Sequence, residues 1–65
     1  MYRLELTGFL NFKRTFHHTK DQARAAWVKA KNETYPAESF GKTHDVHWSM
    51  WELYHNDELI AQGEF

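Results

Sequence analysis

Thr19-Lys20-Asp21-Gln22-Ala23-Arg24-Ala25-Ala26-Trp27-Val28-Lys29-Ala30-Lys31 has the period of a helix, and it separates two stretches that alternate like strands. Thr19 with Gln22 three residues later makes a capping box, in which the Thr19 hydroxyl takes the Gln22 amide and Gln22 reaches back. Asp21 suits the positive end of the helix dipole. Ala23, Ala26, Trp27 and Ala30 recur at i, i+3, i+4 and i+7, a narrow stripe of small residues that lets a helix lie close to a sheet. Tyr35 precedes Pro36 and is biased away from helical dihedrals, so the helix is expected over residues 20 to 34.

On the N-terminal side, Tyr2, Leu4, Leu6, Leu10, Phe12 and Phe16 occupy even positions, with polar residues at most odd ones. This is the alternation of a strand hairpin. A three-residue turn Leu6-Thr7-Gly8, with Gly8 in a left-handed bulge, is expected to pair Leu4 with Leu10 and Tyr2 with Phe12 on one face. A two-residue Thr7-Gly8 turn would put the even residues of the two arms on opposite faces. On the C-terminal side, residues 35 to 45 have no period and contain Pro36 and Gly41, which reads as a long loop. Alternation returns at Val46, and an Asn56-Asp57 turn pairs His55 with Glu58, Tyr54 with Leu59, Met50 with Gly63 and Trp48 with Phe65. The chain therefore reads as one α+β domain over 1–65: hairpin 2–17, helix 20–34, loop 35–45 and hairpin 46–65. This is a ββαββ order giving a four-stranded, mostly antiparallel sheet with one helix packed on one face.

Sixty-five residues, 42% of them hydrophobic, are too few for two independent cores. Zero cysteines remove disulfides, thiol nucleophiles and cysteine zinc sites. Three Trp, three Tyr and five Phe mean that the core is built from rings. No apolar run reaches membrane-spanning length, and Met1-Tyr2-Arg3-Leu4-Glu5 does not read as a secretory leader, so a cytoplasmic location is expected. Charge is segregated although the net value is −1. Residues 13 to 31 carry six cations against Asp21 alone, net +5, and residues 32 to 65 carry seven acids against Lys42 alone, net −6.

The chemistry-bearing residue types do not converge. His44 and His47, beside Asp45, point to opposite faces of an extended chain, and adjacent His17 and His18 diverge. Ser39 and Ser49 lack a nucleophile elbow, and Gly8, Gly41 and Gly63 are too scattered for a phosphate loop. Asp57 and Glu58 sit in a solvated turn. The expectation is a non-enzymatic protein without metal or cofactor.

Two binding classes remain. In the closing hairpin, Val46, Trp48, Met50, Tyr54, Leu59, Ala61 and Phe65 are expected to cover the helix. Trp51, Leu53 and Ile60 would then lie on the other face beside His47, Gln62 and Glu64, as a surface for a protein partner or for a second copy of the chain. The other class is nucleic acid, read by a basic band of Lys13, Arg14, Lys20, Arg24 and Lys31 with Phe16 and His17 for stacking. The seven acids of the C-terminal half oppose it.

In size, element order and charge polarity over its whole length, the chain resembles the small inhibitors that bacteriophages and mobile elements encode against host machinery, anti-CRISPR proteins among them. The resemblance implies a stoichiometric binder that blocks a nucleic-acid-processing complex of the host. Glu38, Asp45, Glu52, Asp57, Glu58 and Glu64 would suit a basic groove, and Trp51, Leu53 and Ile60 a protein joint.

Overall fold

In the computed structural model, which describes residues 1–65, β1 (Tyr2–Gly8) lies between β2 (Asn11–His17) and β5 (Met50–His55), and β6 (Glu58–Glu64) closes the far edge. All three pairings in this sheet are antiparallel. Helix α1 (Lys20–Lys31) packs against β1 and β2. Strands β3 (Thr34–Ser39) and β4 (Lys42–His47) form a separate two-stranded hairpin. The α+β class, the four-stranded sheet and the single helix agree with the sequence reading. The expected loop over residues 35 to 45 is instead mostly this extra hairpin.

Helix α1 starts where the capping residues place it. Thr19 is extended, and its hydroxyl accepts the Gln22 amide at 3.2 Å. The Gln22 side chain reaches back to the His18 amide, one residue before the cap, at 3.0 Å. Ala23 and Ala30 are buried, so the alanine stripe faces the sheet as its spacing requires. The helix ends at Lys31 rather than at residue 34, because Thr34 already pairs with His47 at the base of the new hairpin.

The first hairpin turns at Phe9-Leu10, so Gly8 faces Asn11 and Leu4 faces Thr15. The expected Leu4–Leu10 pairing does not form. Gly8 serves a different purpose from the one its composition suggested: a side chain there would collide with the hydroxyl of Tyr35. That hydroxyl accepts the Phe9 amide at 2.6 Å and joins the hairpin β3–β4 to the first turn. The two-residue turn puts Leu4 and Leu6 on one face of the sheet and Phe12 and Phe16 on the other.

The core consists of Leu4, Leu6, Ala30, Tyr35 and Trp48. Trp48 lies between β4 and β5 rather than opposite Phe65, and its ring tilts against Tyr35 with centroids 4.5 Å apart. Glu33 ties three elements together. One of its carboxylate oxygens accepts the Trp48 indole N–H at 3.1 Å and the Lys13 ammonium at 3.1 Å. These two bonds, the indole donor first, hold the Glu33 carboxyl below the ordinary glutamate pKa.

The pairing of β5 overturns one expectation of consequence. Leu53 lies opposite Leu4, and Trp51 opposite Leu6, so Trp51 and Leu53 share the helix side of the sheet. Met50 and Tyr54, expected to cover the helix, lie on the other face, and Leu59 follows them through its pairing with Tyr54. A bulge leaves Ile60 without a partner, so Leu53 pairs with Ala61 and Met50 with Glu64, not Gly63. The outer His55–Glu58 and Tyr54–Leu59 pairs form as the Asn56-Asp57 turn demands.

The accessible surface is 4815 Å², against about 4,400 Å² for a compact monomer of this mass. The excess accompanies an elongated shape of 41 × 18 × 17 Å.

Removing the Tyr35 hydroxyl strands the Phe9 amide, so Tyr35→Phe lowers stability by about 1–2 kcal/mol in chemical denaturation. Gly8→Ala costs more, because it forces the whole ring out. Because Glu33 has a lowered pKa, its contribution is complete above the ordinary carboxylate range and disappears as pH falls through its folded value. Denaturation midpoints followed from about pH 6 to about pH 2 should therefore fall less steeply for Glu33→Gln than for the wild type.

Candidate functional site

The register defines the sheet face that no helix covers. Across the order β2-β1-β5-β6, one row reads Phe16, Arg3, Tyr54, Leu59. The next reads Arg14, Glu5, Glu52, Gln62, and the third Phe12, Thr7, Met50, Glu64. Charged and amide groups fill the middle row, and the rows above and below it set Phe16, Tyr54, Leu59, Phe12 and Met50 beside Arg3, Thr7 and Glu64.

Glu5 is the one buried charged residue, 8% exposed, although it lies on the open face. Two arginines cover it. Arg14 Nε donates to Glu5 Oε2 at 2.9 Å, and Arg3 Nε lies 2.9 Å from the same oxygen, out of line for a hydrogen bond. Arg3 also donates to Asp57 at 2.6 Å and lies 4.2 Å over the Tyr54 ring. The Asp57 bond raises the pKa of the Arg3 guanidinium. Burial, with Glu52 beside it, pushes the Tyr54 phenol up, so Tyr54 stays neutral at physiological pH. Arg14 lies 5.4 Å over Phe12. Both guanidiniums are therefore held in place by contacts within the chain. Around them Phe12, Phe16, Met50 and Leu59 are exposed, Phe16 most of all at 61%.

The central carboxylate of this arrangement is neutralised from both sides. The cluster offers a rigid polar centre in an apolar frame, which is how protein interfaces combine arginine and aromatic residues.

The residues singled out in the sequence are dispersed. Trp51 and Leu53 lie half-buried on the helix side, and Ile60 is the exposed bulge residue. His47 ends β4 opposite Thr34. Only Gln62 and Glu64 lie on the open face, opposite Glu52 and Met50. The basic band is divided. Lys13 pairs with Glu33, and Arg14, its neighbour in the strand, points to the other face and pairs with Glu5. Lys20 and Arg24 flank a cleft on the helix side, and the Lys31 ammonium lies 5.0 Å over Trp27. Among the histidines, His17 bonds Thr15 and His55 stacks on Tyr2 at 4.2 Å. Phe16, read from the sequence as a base-stacking residue, lies on this open face. Arg3, Glu5 and Phe12 escape the sequence reading because it places the first turn two residues too early, and the alternation on β2 reveals them once Phe9-Leu10 is the turn.

No protein-family model, curated protein or solved structure matches this chain.

Glu5→Gln leaves two arginines around a neutral amide and lowers stability by about 2 kcal/mol. Glu52→Gln, on the same row without a paired cation, changes it by less than about 0.5 kcal/mol. Urea titrations of the two variants check the contrast.

Proposed function

We propose that this chain is a non-enzymatic protein-binding domain that docks through the helix-free face of its sheet. The observation that carries the reading is the exposed set Phe12, Phe16, Met50 and Leu59 around the prearranged Arg3–Glu5–Arg14 cluster. Four strands of this length present a flat footprint of about 400 Å², short of the ~800 Å² per partner of a standard interface. The partner therefore extends past the sheet over the first turn, where Phe9 is half-exposed and Leu10 is 89% exposed, two residues from Phe12.

A protein is favoured over nucleic acid because both arginines of this face are occupied by acids and Glu52 and Glu64 share the surface. Phosphate would meet spent cations and free carboxylates. The resemblance to phage-encoded inhibitors supplies the finer reading: an anti-CRISPR-type stoichiometric inhibitor or adaptor that acts in the host cytoplasm and blocks a nucleic-acid-processing complex.

Phe12→Ser with Phe16→Ser removes exposed rings and moves the melting temperature little. Affinity capture from bacterial lysate with the wild-type chain should retain a partner in near-stoichiometric yield, and the double variant should lose it by at least ~10-fold, equivalent to ~1.4 kcal/mol. Equal capture by both proteins contradicts the reading. Oligonucleotide binding that falls steeply with salt and is abolished by Arg24→Glu with Lys31→Glu would establish the nucleic-acid class instead.

A further inference from the structure

We propose that the cleft between α1 and the β5–β6 half of the sheet binds a small organic acid carrying a flat ring. It lies on the opposite side of the sheet from the docking face and does not depend on it. The cleft has a volume of about 480 Å³, within the ~300–1,000 Å³ of ligand pockets. Leu4, Leu53 and Ala61 line it from the sheet, Trp27 and Trp51 form an aromatic wall, and Lys20, Asp21 and Arg24 come from the first turns of α1.

The cleft exists because β6 places only Ala61 and Gly63 opposite Leu53 and Trp51. Helix α1 settles through its alanines onto β1 and β2, and β6 offers no large side chain to fill what remains. Gly63 admits the Trp51 indole, since a methyl there would come within 3.2 Å of the ring. Trp51 in turn meets Trp27 edge-on, centroids 5.6 Å apart at 69°. Phe65 stacks on Trp27 at 6.3 Å and helps to fix that ring. The two tryptophans thus hold a flat apolar slot open.

Charge selects the ligand. Lys20 and Arg24 outnumber Asp21 at the cleft, and the Lys31 ammonium over the Trp27 ring adds a third cation nearby. A carboxylate is attracted to this rim, whereas an amine of the same shape is repelled. The Trp27 indole N–H is buried and has no acceptor within the fold.

The test is a titration of the full chain with indole-3-acetate, followed by the indole N–H resonances of the three tryptophans. Tryptamine serves as the charge-reversed control and acetate as the ringless one. Trp27 and Trp51 should shift while Trp48, in the core, stays in place. Tryptamine should bind at least ~10-fold more weakly, and acetate should shift nothing. Ala61→Leu fills the slot, so it should keep or raise the melting temperature and abolish the shifts. Arg24→Gln, on the exposed side of α1, should weaken binding several-fold without moving the melting temperature, and it decides the matter if Ala61→Leu fails to fold. Absence of shifts at millimolar probe, equal binding of tryptamine, or full binding by folded Ala61→Leu or by Arg24→Gln overturns the proposal.

Discussion

Leu4, Glu5 and Leu6 follow one another along the central strand, and everything else is arranged around their opposite needs. Leu4 and Leu6 point to the helix side, where Ala30, Tyr35 and Trp48 enclose them. Glu5 points the other way, into a sheet face that no element covers, and would be an uncompensated charge there but for Arg3 and Arg14. One strand thus seals one face with apolar packing and the other with an ion cluster. The arginines do double service, because covering Glu5 also lays them across Tyr54 and Phe12 and fixes the relief of that face.

A single 12-residue helix cannot cover a four-stranded sheet, and the sequence distributes what is left uncovered. On the helix side the uncovered half becomes a tryptophan-walled cleft. On the other side it becomes the apolar frame around the arginines. The turns show the same division of labour. Asn56-Asp57 fills a two-residue turn with left-handed dihedrals by residues that tolerate them. The equivalent turn at Phe40-Gly41 places a fully exposed phenylalanine at φ 52, and Leu10 takes φ 51 at the first turn. Bulky apolar residues are costly in that conformation and in water, so turn formation alone does not account for them, and both extend the apolar surface beyond the sheet.

The parts of the fold legible in the sequence are those governed by local chemistry. Thr19 and Gln22 announce the helix, and Asn56-Asp57 announces the last turn. Phe9-Leu10 carries no turn chemistry, so the sequence puts the break at Gly8, whose bareness instead makes room for the distant Tyr35 ring. The hairpin over residues 34 to 47 was hidden behind Pro36, which a two-stranded edge tolerates. The sequence exchanges the two faces of β5 because it runs Val46 and Trp48 together with Met50 and Tyr54, although Val46 lies in β4 and Trp48 in the connection between β4 and β5. Within Met50–His55 alone both faces are apolar, and only the pairing with Leu4 and Leu6 distinguishes them. That pairing is long-range, which is why the composition of the open face and of the cleft is out of reach of sequence periodicity.

The account stands on which side of the sheet the helix occupies, and a nuclear Overhauser spectrum of the aromatic protons measures it directly. Trp51 should show cross-peaks to Leu6 and to the Trp27 ring, while Phe16 shows them to Arg3 and none to α1. Cross-peaks from Phe12 or Phe16 to Ala23 or Ala26, with Trp51 facing Tyr54, would contradict the account, because the helix would then cover the face that carries the Arg3–Glu5–Arg14 cluster.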